Sequence, residues 1–313
     1  MATQLKALGT DTNSRAELND LYGDVVYETI NTAAPFYQRV AKVKVASDRA
    51  GFRVRSAANT TADSYAELDT IVTGNSTRQR VYFDIKQVKV GVEISGLMEE
   101  SAKGQGGIGD IMAEEMKDAA NDLGKEIDVQ LLGTADPSSS DDMSGLQYLI
   151  DDGATYTTYG SVTDRTATGY AWAKSNVTDT AGDLSLSLMR SMITTNLDDG
   201  ARLENMLFIT TANQVGKFKD LVQNLQRTIP TSSKVGFTGM PEFDGVPVMS
   251  DPNVTAGQMF LLDMSTIKLG VLKQPTIEPL PEPKDAKAAY IKMYAQLYCT
   301  NPKVNYKVTG LTQ

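Results

Sequence analysis

The spacing of apolar and polar positions divides the chain into segments of different period. Residues 14–34 place Ala16, Leu18, Leu21, Tyr22, Val25, Val26 and Ile30 at roughly helical spacing, and Pro35 predicts the stop of that helix. Residues 38–46 alternate and predict a strand. Residues 56–79 are polar and rich in Thr, Ser, Asn and Asp, the composition of a loop tip. Beyond them Val81, Phe83 and Ile85 alternate, and then Val88, Val90, Val92 and Ile94 alternate on the opposite parity. A period of two changes parity only through an irregular residue, so a bend or bulge is expected at Lys86–Gln87. Residues 47–92 together predict a long two-stranded arm with a polar end. A lone hairpin is marginal in water, so such an arm needs something else to lie on, which hints at subunit assembly.

The clearest helix runs from Asp110 to Leu132. Met112, Met116, Ala119, Leu123, Ile127 and Leu131 form one apolar stripe, Asp110 can cap the start, and Gly133 stops the end. At ~1.5 Å rise per residue such a helix is roughly 35 Å long. Its polar side carries Glu114, Asp118, Asp122 and Glu126, like charges four apart and mildly unfavourable without partners. Thr134–Gly145 is rich in turn residues, and 151–182 is polar, insertion-like and holds the sole tryptophan, Trp172. Helices are expected at 184–198 and 211–226, with Met206–Thr210 between them as a buried strand. Further strands are expected at 245–250, 258–263 and 267–272. Gln274–Lys284 holds four prolines and should be extended, at an edge or in a linker. Residues 289–299 alternate: Ala289, Ile291, Met293, Ala295, Leu297 and Cys299 face one way, and Tyr290, Lys292, Tyr294, Gln296 and Tyr298 the other.

At 313 residues the chain is long enough for two domains, or for one with extensions. No run approaches a membrane span, and the N-terminus lacks the apolar core of a secretory signal, so folding in the cytoplasm is expected. The net charge of -9 does not favour nucleic-acid binding by the molecule as a whole. Locally, Arg39, Lys42, Lys44, Arg49, Arg53 and Arg55 stand against Asp48 alone. That segment suits a solvated or subunit-contacting strand better than a contact with packaged nucleic acid. There is no histidine, and Cys299 is the one cysteine. Zinc sites built on Cys and His, intramolecular disulfides and imidazole-based catalysis are therefore excluded.

The remaining motifs are weak. Gly104-Gln-Gly106-Gly-Ile-Gly109 matches the dinucleotide pattern, but Ser95–Lys103 separates it from the preceding strand and a Ser/Asp loop follows its helix. A flexible joint before a long helix fits better than a nucleotide site. The Asp pairs at 141–142, 151–152 and 198–199 fit no calcium loop and read as solvated turns. Cys299 lies on the apolar parity of its strand and reads as a packed thiol, and the Tyr290, Tyr294, Tyr298 row as packing on a sheet face. No cofactor is expected.

The order of elements resembles the Hong-Kong-97-type capsid fold of tailed viruses. Gln87-Val-Lys-Val-Gly-Val-Glu-Ile-Ser-Gly-Leu-Met-Glu-Glu-Ser101 is similar to that family's return strand. Leu131-Leu-Gly-Thr134 with Met143-Ser-Gly-Leu146 is similar to its helix exit, and Phe208–Phe218 to its strand-then-helix unit. Phe243-Asp-Gly-Val-Pro-Val-Met249 followed by Gly257-Gln-Met-Phe-Leu-Leu-Asp263 is similar to its most recognisable stretch. The resemblance implies an α+β fold with an N-terminal arm (1–46), an extended β-hairpin loop (47–92) and a peripheral domain with a spine helix (93–133). It also implies an axial domain (134–263), peripheral strands (264–302) and a C-terminal tail (303–313). The implied function is a shell subunit that assembles through hexamers and pentamers into an icosahedral capsid around viral double-stranded DNA, and not an enzyme.

The implied partners are other copies of the chain, a separate scaffolding protein, a portal and packaged DNA held by weak non-specific contact, with no membrane. A separate scaffold is expected because only about 46 residues precede the loop. The loop tip, residues 56–79, contains no lysine, so no covalent lysine–asparagine crosslink is expected there. Arg78 and Arg80 are expected to contact Glu114, Asp118 or Asp122 of a neighbouring subunit. A cellular nanocompartment shell on the same fold is the alternative reading. A hydrolase or dinucleotide enzyme built on Gly104–Gly109 is a third, disfavoured by the missing histidine and missing second strand.

Overall fold

The computed structural model describes residues 34–97, 111–223, 241–281 and 284–313. The helix expected over 14–34, apart from Ala34, and the glycines at 104–109 lie outside the described residues. Pro35, expected to stop that helix, itself begins one. In α1 (Pro35–Arg39) it occupies the first turn, where a missing N–H costs nothing. The strand expected over 38–46 is correspondingly shorter, β1 (Ala41–Lys44). Then come β2 (Arg49–Ala57), β3 (Thr77–Asp84) and β4 (Lys86–Ser95). The parity change is accommodated at Ile85, the single residue between β3 and β4, one position before the expected bend. Only β2 and β3 pair as an arm, from Arg49 opposite Asp84 to Ala57 opposite Thr77. The expected arm over 47–92 is therefore too long: β4 leaves the hairpin and pairs antiparallel with residues 286–295.

The long helix α2 (Ile111–Leu132) buries Met116, Ala119, Leu123, Ile127 and Leu131, the stripe read from spacing. It ends where the chain must double back tightly. A Cβ on Gly145 would sit only 2.0 Å from the carbonyl oxygen of Gly133, so a side chain at 145 is sterically impossible without moving the helix exit. The chain continues through α3 (Leu146–Leu149), β5 (Asn176–Gly182), α4 (Leu186–Asp198), β6 (Met206–Thr210) and α5 (Ala212–Gln223). Ser185 caps α4 by accepting from the Leu188 N–H at 3.2 Å. The final elements are β7 (Glu242–Phe243), β8 (Val246–Ser250), β9 (Met259–Asp263), β10 (Ile267–Leu280), β11 (Ala286–Cys299) and β12 (Tyr306–Leu311).

The strands form a four-stranded sheet ordered β1-β10-β11-β4, a six-stranded sheet ordered β5-β12-β9-β6-β8-β7, and the β2-β3 hairpin. In β10 the proline-rich half runs beyond its β1 partners, which stop at Val271, so it lies at an edge where absent N–H donors are tolerated. The six-stranded sheet is covered on both faces. Leu207, Ile209, Phe260 and Leu262 join a core with α2 and the four-stranded sheet. Met206, Phe208, Met259 and Leu261 join a second core with Met189, Met192 and Ile193 of α4 and Val215 and Phe218 of α5. Burial on both faces is why β6 reads as an unbroken apolar run.

Two readings of polar sequence need correction. Asp151 is not in a solvated turn: it is buried, paired with Lys307 at 3.0 Å, and accepts the Gly153, Thr155 and Tyr156 N–H groups. Burial alone would raise its carboxyl. The backbone hydrogen bond from Tyr156 and the charge of Lys307 outweigh that and hold it below the ordinary range. The polar stretch 151–182 is no loose insertion either. It contains β5 and the fully buried Arg165, whose guanidinium donates to the carbonyls of Tyr148 (3.0 Å), Asp151 (3.0 Å) and Thr158 (2.6 Å) and lies over the Tyr148 and Tyr159 rings.

Candidate assembly surface

The β2-β3 hairpin has two unlike faces because its residues alternate. Its inner face carries Ala50, Phe52 and Val54 opposite Phe83, Val81 and Gln79. Phe52 stacks on Tyr298 of β11 with ring centroids 5.9 Å apart. Phe83 packs on the same tyrosine at 6.4 Å and meets Tyr159 edge-on at 5.3 Å. The Tyr82 N–H donates to the Ser161 hydroxyl at 3.3 Å, fixing the base of the hairpin to the 159–162 turn. Gly160 is required in that turn: its φ is +54°, and a Cβ there would sit 2.9 Å from the Phe83 ring. Fully burying an aromatic such as Phe83 contributes about 1.5–3 kcal/mol, so the base is held by ordinary core packing.

The outer face is a ladder of arginines. At its base Arg49 and Asp84 form an ion pair at 3.0 Å, and the Arg49 guanidinium lies 4.6 Å from the Tyr82 ring centroid. Further out, Arg53 is directly opposite Arg80, and Arg55 directly opposite Arg78. All four are exposed, and among the described residues none has an ion pair or a side-chain hydrogen bond. Like charges directly opposite on a ladder are destabilising, so the isolated chain keeps an arrangement that costs it stability.

The hairpin opens into residues 58–76, a loop with no ladder of its own. Asn59 ties its two sides together by donating to the Gly74 carbonyl at 2.7 Å. Its tip exposes Tyr65 (72%), Leu68 (99%), Ile71 (69%) and Val72 (69%) to solvent. Long loops without secondary structure in compact proteins are usually functional.

The acidic counterpart lies on α2. Glu114, Glu115, Asp118, Asp122 and Glu126 are exposed on the side turned away from the core. Asp122 has only a loose contact to Lys125 at 3.7 Å, and Glu126 accepts from Gln130 at 2.9 Å. Glu114 and Asp118 have no ion-pair partner among the described residues. Within one chain no ion pair joins Arg78 or Arg80 to Glu114, Asp118 or Asp122. The fold displays these residues and does not bring them together.

Sequence reasoning missed the charged cluster on the outer face of the four-stranded sheet. Lys273 and Lys292 both pair with Glu278, Lys273 at 2.5 Å, and the Tyr290 hydroxyl donates to the same carboxylate at 2.6 Å. Burial would raise the Glu278 carboxyl, but hydrogen bonds from Lys273, Lys292 and Tyr290 outweigh it and hold it at about 2. The tyrosine row gave half of this signal, and the lysine and glutamate in the proline-rich partner strand gave the rest. The cluster is internally satisfied and reads as structural. Cys299 is fully buried and its thiol is pushed up to about 11 by desolvation, which makes it a packed thiol and not a nucleophile. Among the described residues no group of three or more metal-binding side chains occurs, and no helix is long and apolar enough to cross a membrane.

Comparison with known proteins places this geometry. The capsid asymmetric unit of cyanophage A-1(L) superposes with a TM-score of 0.68 at 14% identity, covering 90% of this chain and 93% of that one. The capsid of a native GTA particle gives 0.66 at 12% identity, covering 90% and 91%. The encapsulin complex of Synechococcus elongatus gives 0.58 at 12% identity, covering 89% and 88%. At such identities the likeness is one of fold, and it makes the mixed α+β architecture Hong-Kong-97-like. No curated protein matches the sequence. Residues 5–312, however, match the SU10 major capsid protein family. The chain therefore belongs to the SU10 major capsid protein family and is a structural, shell-forming subunit of a phage capsid.

Proposed function

We propose that copies of this chain assemble through hexamers and pentamers into an icosahedral shell around double-stranded DNA, with the β2-β3 hairpin and its loop lying on a neighbouring subunit. The observation that carries this reading is the set of Arg53, Arg55, Arg78 and Arg80, without partners among the described residues, beside the exposed apolar loop tip, set against an acidic row on α2 in which Glu114 and Asp118 likewise have no ion-pair partner among the described residues. Arg78 and Arg80 contact Glu114, Asp118 or Asp122 of the neighbour. Successive carboxylates at i and i+4 on a helix are ~6 Å apart along its axis. Successive arginines on one strand face are ~6.7 Å apart, so two rungs of the ladder match two turns of the helix. Each exposed pair contributes only ~0.2–1 kcal/mol, but a closed shell repeats the contact at every subunit and symmetry removes open ends.

In this reading residues 1–46 form an N-terminal arm, and the overlapping loop region is the β2-β3 hairpin with its loop, residues 49–84. Residues 93–133 and 264–302 form a peripheral part, and 134–263 with the tail 303–313 an axial part. Assembly takes place in the host cytoplasm with a separate scaffolding protein and a portal. DNA is held by weak, non-specific contact, and the chain has no catalytic role. With no lysine in residues 56–79, the loop forms no lysine-based covalent crosslink. The encapsulin likeness supports a nanocompartment shell as the second reading. Negative-stain electron microscopy of the purified full chain, with and without a candidate scaffold, tests the proposal. Closed shells, or rings of five- and six-fold symmetry, are expected. A strict monomer or dimer across protein and salt concentrations would refute it.

A further inference from the structure

Where α2 meets the six-stranded sheet, two aspartates face one another in the interior. Asp128 of α2 and Asp251, which follows β8, are both fully buried. Asp251 is fixed to the sheet: its N–H donates to the Thr210 carbonyl at 2.9 Å, and its Oδ1 accepts the Asn253 N–H at 2.9 Å. Asp128 accepts the Tyr37 N–H of α1 at 3.1 Å and the Asn253 Nδ2 at 3.2 Å. Asn253 bridges the two carboxyl groups, its N–H on Asp251 Oδ1 and its side-chain amide on Asp128 Oδ2. Yet Asp251 Oδ2 is buried and has no hydrogen-bond donor among the described residues.

Among the described residues no cation neutralises the pair. α1 offers a backbone N–H, and its Tyr37 hydroxyl is aimed at the Met293 sulfur. On α2 the neighbouring charges, Lys125 and Glu126, are exposed. β4 contributes Val88, Val92 and Ile94 to the shared core while its Lys89 and Glu93 are exposed. β11 contributes Ile291, Met293 and Ala295, and α3 contributes Leu146 and Leu149, none of them titratable. Among the described residues no lysine or arginine pairs with either aspartate.

We infer that Asp128 and Asp251 share one proton, and that this carboxylic acid–carboxylate bond is a latch joining α2 and α1 to the strand ends of the six-stranded sheet. Two buried carboxylates in contact cannot both ionise cheaply, and a proton between them supplies the donor that Asp251 Oδ2 lacks. Consistently, the Asp128 carboxyl is pushed up to about 7, first by burial and then by the charge and hydrogen bond of Asp251, against the lowering effect of Tyr37 and Asn253. The sign follows. The folded chain holds a proton that the unfolded chain releases in the ordinary carboxylate range. The latch therefore weakens as pH rises through that window towards 7, and it is broken above it.

Asp251→Asn isolates the effect. Its Oδ1 still accepts from Asn253, and its amide Nδ2 replaces the shared proton with a permanent donor to Asp128. On the full-length chain, the melting temperature of the variant minus that of the wild type should become more positive from about pH 5 to about pH 8, because only the wild type loses its bridge. In carbon-13 aspartate-labelled wild type, infrared spectra near pH 5.5 should show a protonated-carboxyl stretch that Asp251→Asn and Asp128→Asn each abolish. A melting difference that does not change with pH would overturn the latch. So would a labelled wild type without a protonated-carboxyl band, as when a bound cation takes the place of the proton. The band on wild-type protein decides the matter even if neither variant folds.

Discussion

The 151–175 segment and the β2-β3 hairpin are both polar and arginine-bearing in sequence, and the fold treats them in opposite ways. Arg165 is fully buried, its donors are taken by three main-chain carbonyls, and two tyrosine rings lie against it. Arg53, Arg55, Arg78 and Arg80 are exposed, face one another in like-charged pairs and find no partner among the described residues. The first arginine completes the interior of one chain, whereas the other four remain for another molecule to complete. An arginine satisfied within its own subunit is structural, and a row of arginines that the subunit leaves repelling one another marks a surface meant to be covered.

That contrast can be broken experimentally. The largest effect on the folded chain is expected from Arg165→Met. It leaves the carbonyls of Tyr148 and Thr158 without donors, while the Asp151 carbonyl keeps the Ser175 N–H. At roughly 1–3 kcal/mol for each of the two, a loss of about 2–6 kcal/mol should appear in urea unfolding. Lys307→Met should come next, at about 3 kcal/mol, the low end for breaking a buried ion pair, because Asp151 keeps its backbone N–H donors. The Lys273–Glu278–Lys292 cluster adds a pH dependence. The Glu278 carboxyl is held at about 2 in the folded chain. Its contribution is therefore present above the unfolded carboxylate range and is lost as pH falls from ~4.3 towards that value. Glu278→Gln should flatten this acid limb in a melting-temperature profile. The smallest effect on the isolated chain is expected from Arg78→Gln with Arg80→Gln, within about 0.5 kcal/mol and of either sign, since it also relieves cross-strand repulsion. Its effect on particle yield should nonetheless be the largest of the series, and that inversion separates the two regions.

Much of the fold was legible because its signals are local. The α2 stripe, the β6 run and the alternation of β11 each follow from burial of one face or of two. The hairpin was legible as an arm but not in length, since whether β4 stays with β3 or joins β11 depends on a partner nearly two hundred residues away. That Pro35 begins a helix was not legible, because a proline marks the end of one helix or the first turn of the next. Asp151, Arg165 and Lys307 were not legible at all: a charged residue in a polar stretch carries no mark of burial until its long-range partners are known. The arginine and acidic rows were visible as charge patterns. That Arg53 opposes Arg80 and Arg55 opposes Arg78 required the register.

Disulfide trapping tests the inter-subunit contact most directly, because Cys299 is the sole native cysteine and is buried. Arg78→Cys with Asp118→Cys removes one arginine of four and leaves Arg53, Arg55 and Arg80 in place. Mild oxidation of assembled particles should give covalent oligomers that collapse to monomer on reduction, and neither single variant should give them. Particles that assemble normally and yield only monomer under the same oxidation would contradict the placement of the hairpin arginines on a neighbour's acidic helix.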